Sequence, residues 1–138
     1  MAIKQGTGVV GVVRFSQTPG TSGTVVDGTI DGLAPGTEHA LAIHESGDLS
    51  EGCASTGGHF NPRGVRHGSP EDDVRHVGDL GNVRADSNGR ASFKFVDRMV
   101  AVNDIIGRSV VVAEGPDDFG IGDSPLSKVG STFYSGHF

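Results

Sequence analysis

Residues 59–79 read HFNPRGVRHGSPEDDVRHVGD. Three imidazoles and one carboxylate, His59, His67, His76 and Asp79, sit in a Gly/Pro-rich segment with little apolar periodicity. That donor set completes a closed, four-coordinate zinc site. Val77 and Gly78 alone separate His76 from Asp79, so those two ligands can reach one ion from a single turn. The other two arrive only if the loop folds back on itself. No strand or helix is legible from residue 46 to residue 78, and structureless loops longer than about 12–15 residues are usually functional or disordered. Ordering such a loop costs about 1–2 kcal/mol per residue in backbone entropy. Its large apolar side chains are few: Leu49, Phe60, Val65, Val74 and Val77. A structural zinc supplies about 10–16 kcal/mol of apparent binding free energy. The competing reading is a solvated polar loop with incidental histidines. Three of the chain's six histidines fall in this loop, with an aspartate three positions after the last, and that favours the metal.

A chain of 138 residues suits one domain and one modest core. The net charge of −6 argues against nucleic acid or an anionic membrane as the main partner. No apolar run is long enough to span a bilayer as a helix, and MAIKQGTG lacks the apolar stretch of a signal peptide. The single cysteine, Cys53, cannot form an internal disulfide, which fits a cytoplasmic setting. The 23 glycines are scattered without a period, as in an all-β chain with many turns.

Working outward from the loop, the flanking segments read as strands. Residues 9–15 (VVGVVRF) and 24–30 are β-branched runs; Val26, Gly28 and Ile30 share one face of the second. In residues 39–44 (HALAIH) period-two alternation puts His39, Leu41 and Ile43 on one face and Ala40, Ala42 and His44 on the other. Residues 80–86 and 90–97 flank Ser87-Asn88-Gly89, a strong hairpin signal. Phe93 and Phe95 are expected inside. Residues 104–106 and 110–112 are the next apolar segments, followed by a second long loop from 115 to about 130 and a tail in which 132–135 form a short strand or nothing. About seven short strands, with no helical stripe, predict an all-β sandwich or Greek-key barrel.

At this level the sequence resembles a known family. GTIDGLAPG, HESGDLSEGC, GGHFNPRGVRHGSPED, RHVGDLGNVRADSNGRA and DIIGRSVVV look like the copper/zinc superoxide dismutase superfamily. DLGNVRAD, DIIGRS and PLSK look most like the dismutase-like second domain of a copper chaperone for superoxide dismutase. The resemblance covers residues 9–128 of a single domain, 1–138, and leaves 129–138 as a divergent tail. It implies a Greek-key β-barrel of eight strands with two long loops, whose last strand is missing or atypical here.

Carried over by position, the resemblance implies that His59, His67, His76 and Asp79 hold one zinc per chain. His44 and His59 match two of four copper histidines, and the other two positions are Ala42 and Ala113. Alanine cannot ligate, so copper binding is expected to be weak or absent, with His44 a residual ligand or a relic. Zinc alone has no redox chemistry, and the arginine beside copper has no match. Asp117 matches a carboxylate behind the metal ligands; Asp118 beside it reads as a turn residue. Cys53 matches the family's disulfide cysteine without its partner, leaving a free thiol or an intermolecular disulfide. Arg108 reads as a tie between loops, His39 as a hydrogen-bonded structural histidine and His137 as a disordered tail residue. Gly47, Asp48, Ile105, Ile106 and Gly107 match a dimer patch, or equally a loop edge with core isoleucines.

The implied role is a zinc-binding docking domain of chaperone type. It would partner a superoxide dismutase subunit as a heterodimer, or itself as a homodimer, without the MxCxxC and CxC copper motifs of full chaperones. The alternative is a divergent dismutase, converting superoxide to O2 and H2O2, with impaired copper binding. One extra residue between Gly36 and His39 predicts a β-bulge near Thr37. A bulge placed later would exchange the faces of His39 and His44.

Overall fold

The computed structural model describes residues 2–5, 9–17, 20, 22–48, 50, 55, 57–113 and 134–137. Eight strands are present among the described residues: β1 (Ala2–Gln5), β2 (Val9–Ser16), β3 (Thr24–Asp31), β4 (Glu38–His44), β5 (Asp79–Arg84), β6 (Ala91–Asp97), β7 (Ser109–Val112) and β8 (Tyr134–His137). They join in one antiparallel sheet of order β5-β4-β7-β8-β1-β2-β3-β6. Val83 of β5 and Phe93 and Phe95 of β6, at opposite ends of that order, pack on the same core as Val13, Val26, Ile30, Leu41, Ile43 and Val110. The sheet is therefore rolled into the Greek-key barrel with its apolar face inward. The burial pattern of β2 and β3 shows the period-two logic directly: Val9 and Val13, Val26 and Ile30 face in, while Val10, Val12 and Arg14 face out.

Several elements differ from the sequence reading. β1 was not anticipated, because four residues with one lysine and one glutamine carry no alternation signal. The tail strand forms at Tyr134–His137, two residues beyond the expected place, and pairs with both β1 and β7. The last strand is thus short and atypical, but present. Residues 104–106 are not a strand: Val102–Ile105 form one helical turn, α1, with Ile105 buried beneath it and Ile106 exposed. The Asn-Gly turn is real, with Asp86 donating its backbone N–H to Arg90 O at 2.8 Å. Its two arms then part, β5 pairing with β4 and β6 with β3. They are the outer strands of the sheet, and no ladder joins them among the described residues.

The expected bulge near Thr37 is displaced. The β4–β5 register slips between Ala40 and Ala42, where Ala40 faces Asn82 and Ala42 faces Asp79. Two steps on β4 match three on β5, so the extra residue belongs to β5, where Gly81 has φ of 84°. A glycine accepts that left-handed conformation without penalty, as such bulges require. β4 itself runs in continuous register against β7, so His39, Leu41 and Ile43 keep one face and Ala42 and His44 the other. Among the described residues no helix is long and apolar enough to cross a membrane.

Candidate metal centre

Two backbone strips hold the loop against β4. Phe60 N–H donates to Ile43 O at 2.7 Å, Ile43 N–H to Gly78 O at 2.9 Å and Gly78 N–H to Phe60 O at 2.9 Å. His44 and His59 form an isolated antiparallel bridge. Glycine is required at 78, since a Cβ there would lie 2.2 Å from Ile43 O. The turn that follows is closed by Asp79 N–H on His76 O at 3.1 Å. The outer face of β4 is thereby covered, and Ala42 and His44 are buried although they face away from the barrel core.

On this scaffold the four residues singled out in the sequence converge. Their candidate ligand atoms all lie within 4.8 Å of one another. Asp79 Oδ1 is 2.7 Å from His59 Nδ1, 2.8 Å from His67 Nδ1 and 3.3 Å from His76 Nδ1. The Nδ1 atoms of His59 and His76 are 3.2 Å apart. Asp79 Oδ2 is turned away, accepting the backbone N–H groups of His76 at 2.8 Å and Gly68 at 3.1 Å. One carboxylate oxygen is thus fixed by the main chain while the other is presented to three imidazoles. Burial alone would raise the Asp79 pKa. Hydrogen bonds from His59, His67 and His76 oppose it and hold the carboxyl far below the ordinary range, so it is ionised.

The donor set fits a small tetrahedral cation. Donors about 2.0–2.1 Å from a tetrahedral zinc stand about 3.3 Å apart; here the three imidazoles lie 2.7 to 3.3 Å from Asp79 Oδ1, and all four donors lie within 4.8 Å of one another. His67, His76 and Asp79 are buried and His59 is half-buried. Four protein donors in a buried cluster leave no open position for substrate, the mark of a structural rather than a catalytic site.

His44 stands on the other side of His59, with ring centroids 5.1 Å apart. Its Nδ1–H donates to Gly57 O at 2.8 Å. Burial, followed by the neighbouring His59, lowers its pKa to about 4 against the opposing pull of the Gly57 carbonyl, so the ring is neutral. Ala42, two residues before it on the same face, and Ala113, just after β7, offer no donor. Among the described residues this side of His59 presents one further imidazole, His44. Asp117, Asp118 and Cys53 lie outside the described residues.

Sequence reasoning missed the tie that anchors the loop. Arg75 is fully buried, with Nη1 2.9 Å from Asp97 Oδ2 and further bonds to Pro70 O, His76 O and Val77 O. The available signal was an arginine directly before a ligand-type histidine in a segment poor in apolar residues. His39 is buried, with Nδ1 2.8 Å from Ala113 O and Nε2 2.6 Å from Thr37 Oγ1. Arg108 stacks 3.8 Å from the Phe60 ring centroid and donates to Glu45 O and Asp104 O, both at 2.8 Å, tying three loops together. Gly47 packs directly on the Gly107 backbone, so the expected dimer patch is contiguous around exposed Ile106, while Ile105 belongs to the core.

A rolled Greek-key sheet carrying a His3Asp cluster on a loop after its fourth strand defines a class, and the profile of copper/zinc superoxide dismutase matches residues 9–137; the chain belongs to that family. The match runs past Lys128 and takes in β8. Within the family, the chain is similar to the copper chaperones for superoxide dismutase. It is 54% identical over 131 residues to the Homo sapiens protein, covering 94% of this chain and 47% of that one. It is likewise 54% identical over 130 residues to the Rattus norvegicus protein, with the same coverage. The chain therefore spans about half the length of the curated relatives it matches. The crystal structure of the clock protein EA4 has the same fold, with a TM-score of 0.91 at 40% identity, covering 99% of this chain and 89% of that one.

Proposed function

We propose that residues 1–138 act as one zinc-binding, dismutase-like domain of copper-chaperone type, which docks onto a superoxide dismutase subunit during that enzyme's maturation. One observation carries the reading: His59, His67, His76 and Asp79 converge in a buried cluster; the resemblance adds that Ala42 and Ala113 occupy positions of copper-ligating imidazoles. Zinc would be held by those four residues, and when bound it supplies fixed charge and geometry, not electron transfer. The protein's own part is to orient Asp79 through the main chain and to keep the loop closed over β4. The contiguous surface around Gly47, Ile106 and Gly107 supplies the docking face.

Metal analysis of protein purified without added metal tests the first half: about one zinc and no copper per chain is expected. Size-exclusion chromatography with a metal-loaded superoxide dismutase tests the second, a mixed dimer being the expected species. The retained His44, 5.1 Å from His59 by ring centroids, favours a second reading as a divergent dismutase. Stoichiometric copper together with catalytic superoxide removal would establish that reading instead.

A further inference from the structure

The turn between β5 and β6 carries Asn88-Gly89, the one asparagine in the sequence followed by glycine. Asn88 is exposed. The Asp86 carboxylate accepts the N–H groups of Asn88 at 2.8 Å and Arg90 at 3.0 Å. Gly89 N–H donates to Asp86 O at 3.1 Å. Gly89 is itself buried, with φ of 79°, and its carbonyl accepts Leu33 N–H at 3.1 Å. A Cβ on Gly89 would fall 2.3 Å from Leu33 O, so the turn fits under residue 33 with no room to spare.

We propose that Asn88 is a site of spontaneous deamidation that the folded turn holds shut and that opening of this end of the barrel releases. The reaction is attack of the Gly89 backbone nitrogen, after loss of its proton, on the carboxamide carbon of Asn88. A new C–N bond forms to Gly89, the carboxamide's own C–N bond breaks and ammonia leaves. Water then opens the cyclic imide to aspartate or isoaspartate, so the net change is asparagine plus water to acid plus ammonia. In the native turn the attacking nitrogen's proton is engaged by Asp86 O, and Gly89 is pinned against Leu33. Isoaspartate adds one carbon to the backbone immediately before Gly89. A glycine that already fills its slot beneath Leu33 cannot be reseated on a longer backbone, so a molecule that has opened and reacted to the isoaspartyl form is barred from closing, whereas the aspartyl product keeps the original backbone.

The full-length protein, incubated at mildly alkaline pH in native buffer and in denaturant, tests this by peptide mapping and by labelling with protein isoaspartyl methyltransferase. Local opening limits chemistry at protected backbone, so conversion at Asn88 is expected about tenfold or more slower in native buffer than in denaturant. Asn82 and Asn103, followed by Val and Asp, serve as slow internal references, and Asn88→Gln should abolish the signal. Asp86→Ala removes an exposed clamp and is expected to raise the native-buffer rate several-fold. Equal rates at Asn88 in both buffers, no conversion in denaturant, or native refolding of the isoaspartyl product would each overturn the proposal. The wild-type comparison decides the matter even if Asp86→Ala fails to fold.

Discussion

The guanidinium of Arg75 and the carboxylate of Asp97 meet at 2.9 Å with both side chains fully buried. Arg75 directly precedes the ligand-type His76, and Asp97 ends β6, while Asp79 begins β5. The pair therefore ties the loop that carries the His3Asp cluster across the two outer strands of the sheet, which no ladder joins among the described residues. Asp97 Oδ1 also accepts the N–H groups of Met99 at 2.9 Å and Val100 at 3.0 Å, so it organises the backbone leaving the barrel. Removing one member of a buried pair strands the other charge and costs about 3–5 kcal/mol. Arg75→Met should lower the unfolding free energy by that amount in a denaturant titration at fixed metal concentration. A loss below about 1 kcal/mol, the scale of an exposed pair, would show that the bridge is structurally idle.

Metal removal should act locally. The strips at Phe60 and Gly78 hold the loop to β4 by backbone hydrogen bonds, but without a cation the four side chains keep only the hydrogen bonds that centre on Asp79. Substituting His67→Ala, or stripping the protein with a chelator, is expected to raise amide exchange throughout residues 57–78. Protection in β2 and β3 should change far less, because their ladders pair with other strands and not with the loop. Since metal binding free energy is folding free energy, the chelated protein should also melt at lower temperature. Unaltered protection in 57–78 would mean that the ion does not order the loop.

How much of this was legible beforehand follows from which interactions are local. Strand positions came from alternation, and the His76–Asp79 turn came from a two-residue gap, because both are properties of neighbouring residues. The pairing of β5 with β4 rather than β6 was not legible, because an Asn-Gly turn reports where the backbone reverses and not whether its arms stay together. The bulge was expected near Thr37 on the strand with the extra residue. The structure instead puts it at Gly81 on the partner strand, whose left-handed backbone absorbs the slip. Arg75 and Asp97 are 22 residues apart, and no pattern in either segment points to the other. α1 is a single turn, too short to present a helical stripe.

Gly78 offers a steric test of the site that leaves every ligand in place. Its Cα faces the Ile43 carbonyl so closely that an added methyl would sit 2.2 Å from the oxygen, and the atom met is backbone. Gly78→Ala must therefore push the His76–Asp79 turn off β4 and spread the donors. Zinc affinity measured by competition with a chromophoric chelator should fall at least about tenfold, the effect of about 1.4 kcal/mol. Unchanged affinity would indicate that the loop tolerates a shift which the backbone hydrogen bonds imply it cannot.

The copper half of the proposed reading can be tested by adding imidazoles. Ala42 lies on the same face of β4 as His44 and opposite Val111 of β7, and Ala113 follows β7 with its N–H donated to Ala40 O at 2.8 Å. Its carbonyl is already fixed by His39 Nδ1, so the backbone at 113 is held from both sides. Ala42→His combined with Ala113→His is expected to create a four-imidazole site that takes one Cu(II) per protein molecule, read by titration and by electron paramagnetic resonance. The geometry of nitrogen ligands decides the copper spectrum, so the double variant should give one defined signal where the parent gives weak or heterogeneous binding. A parent protein that already binds one copper with the same spectrum would show that Ala42 and Ala113 cost the site nothing. The dismutase reading would then replace the docking one.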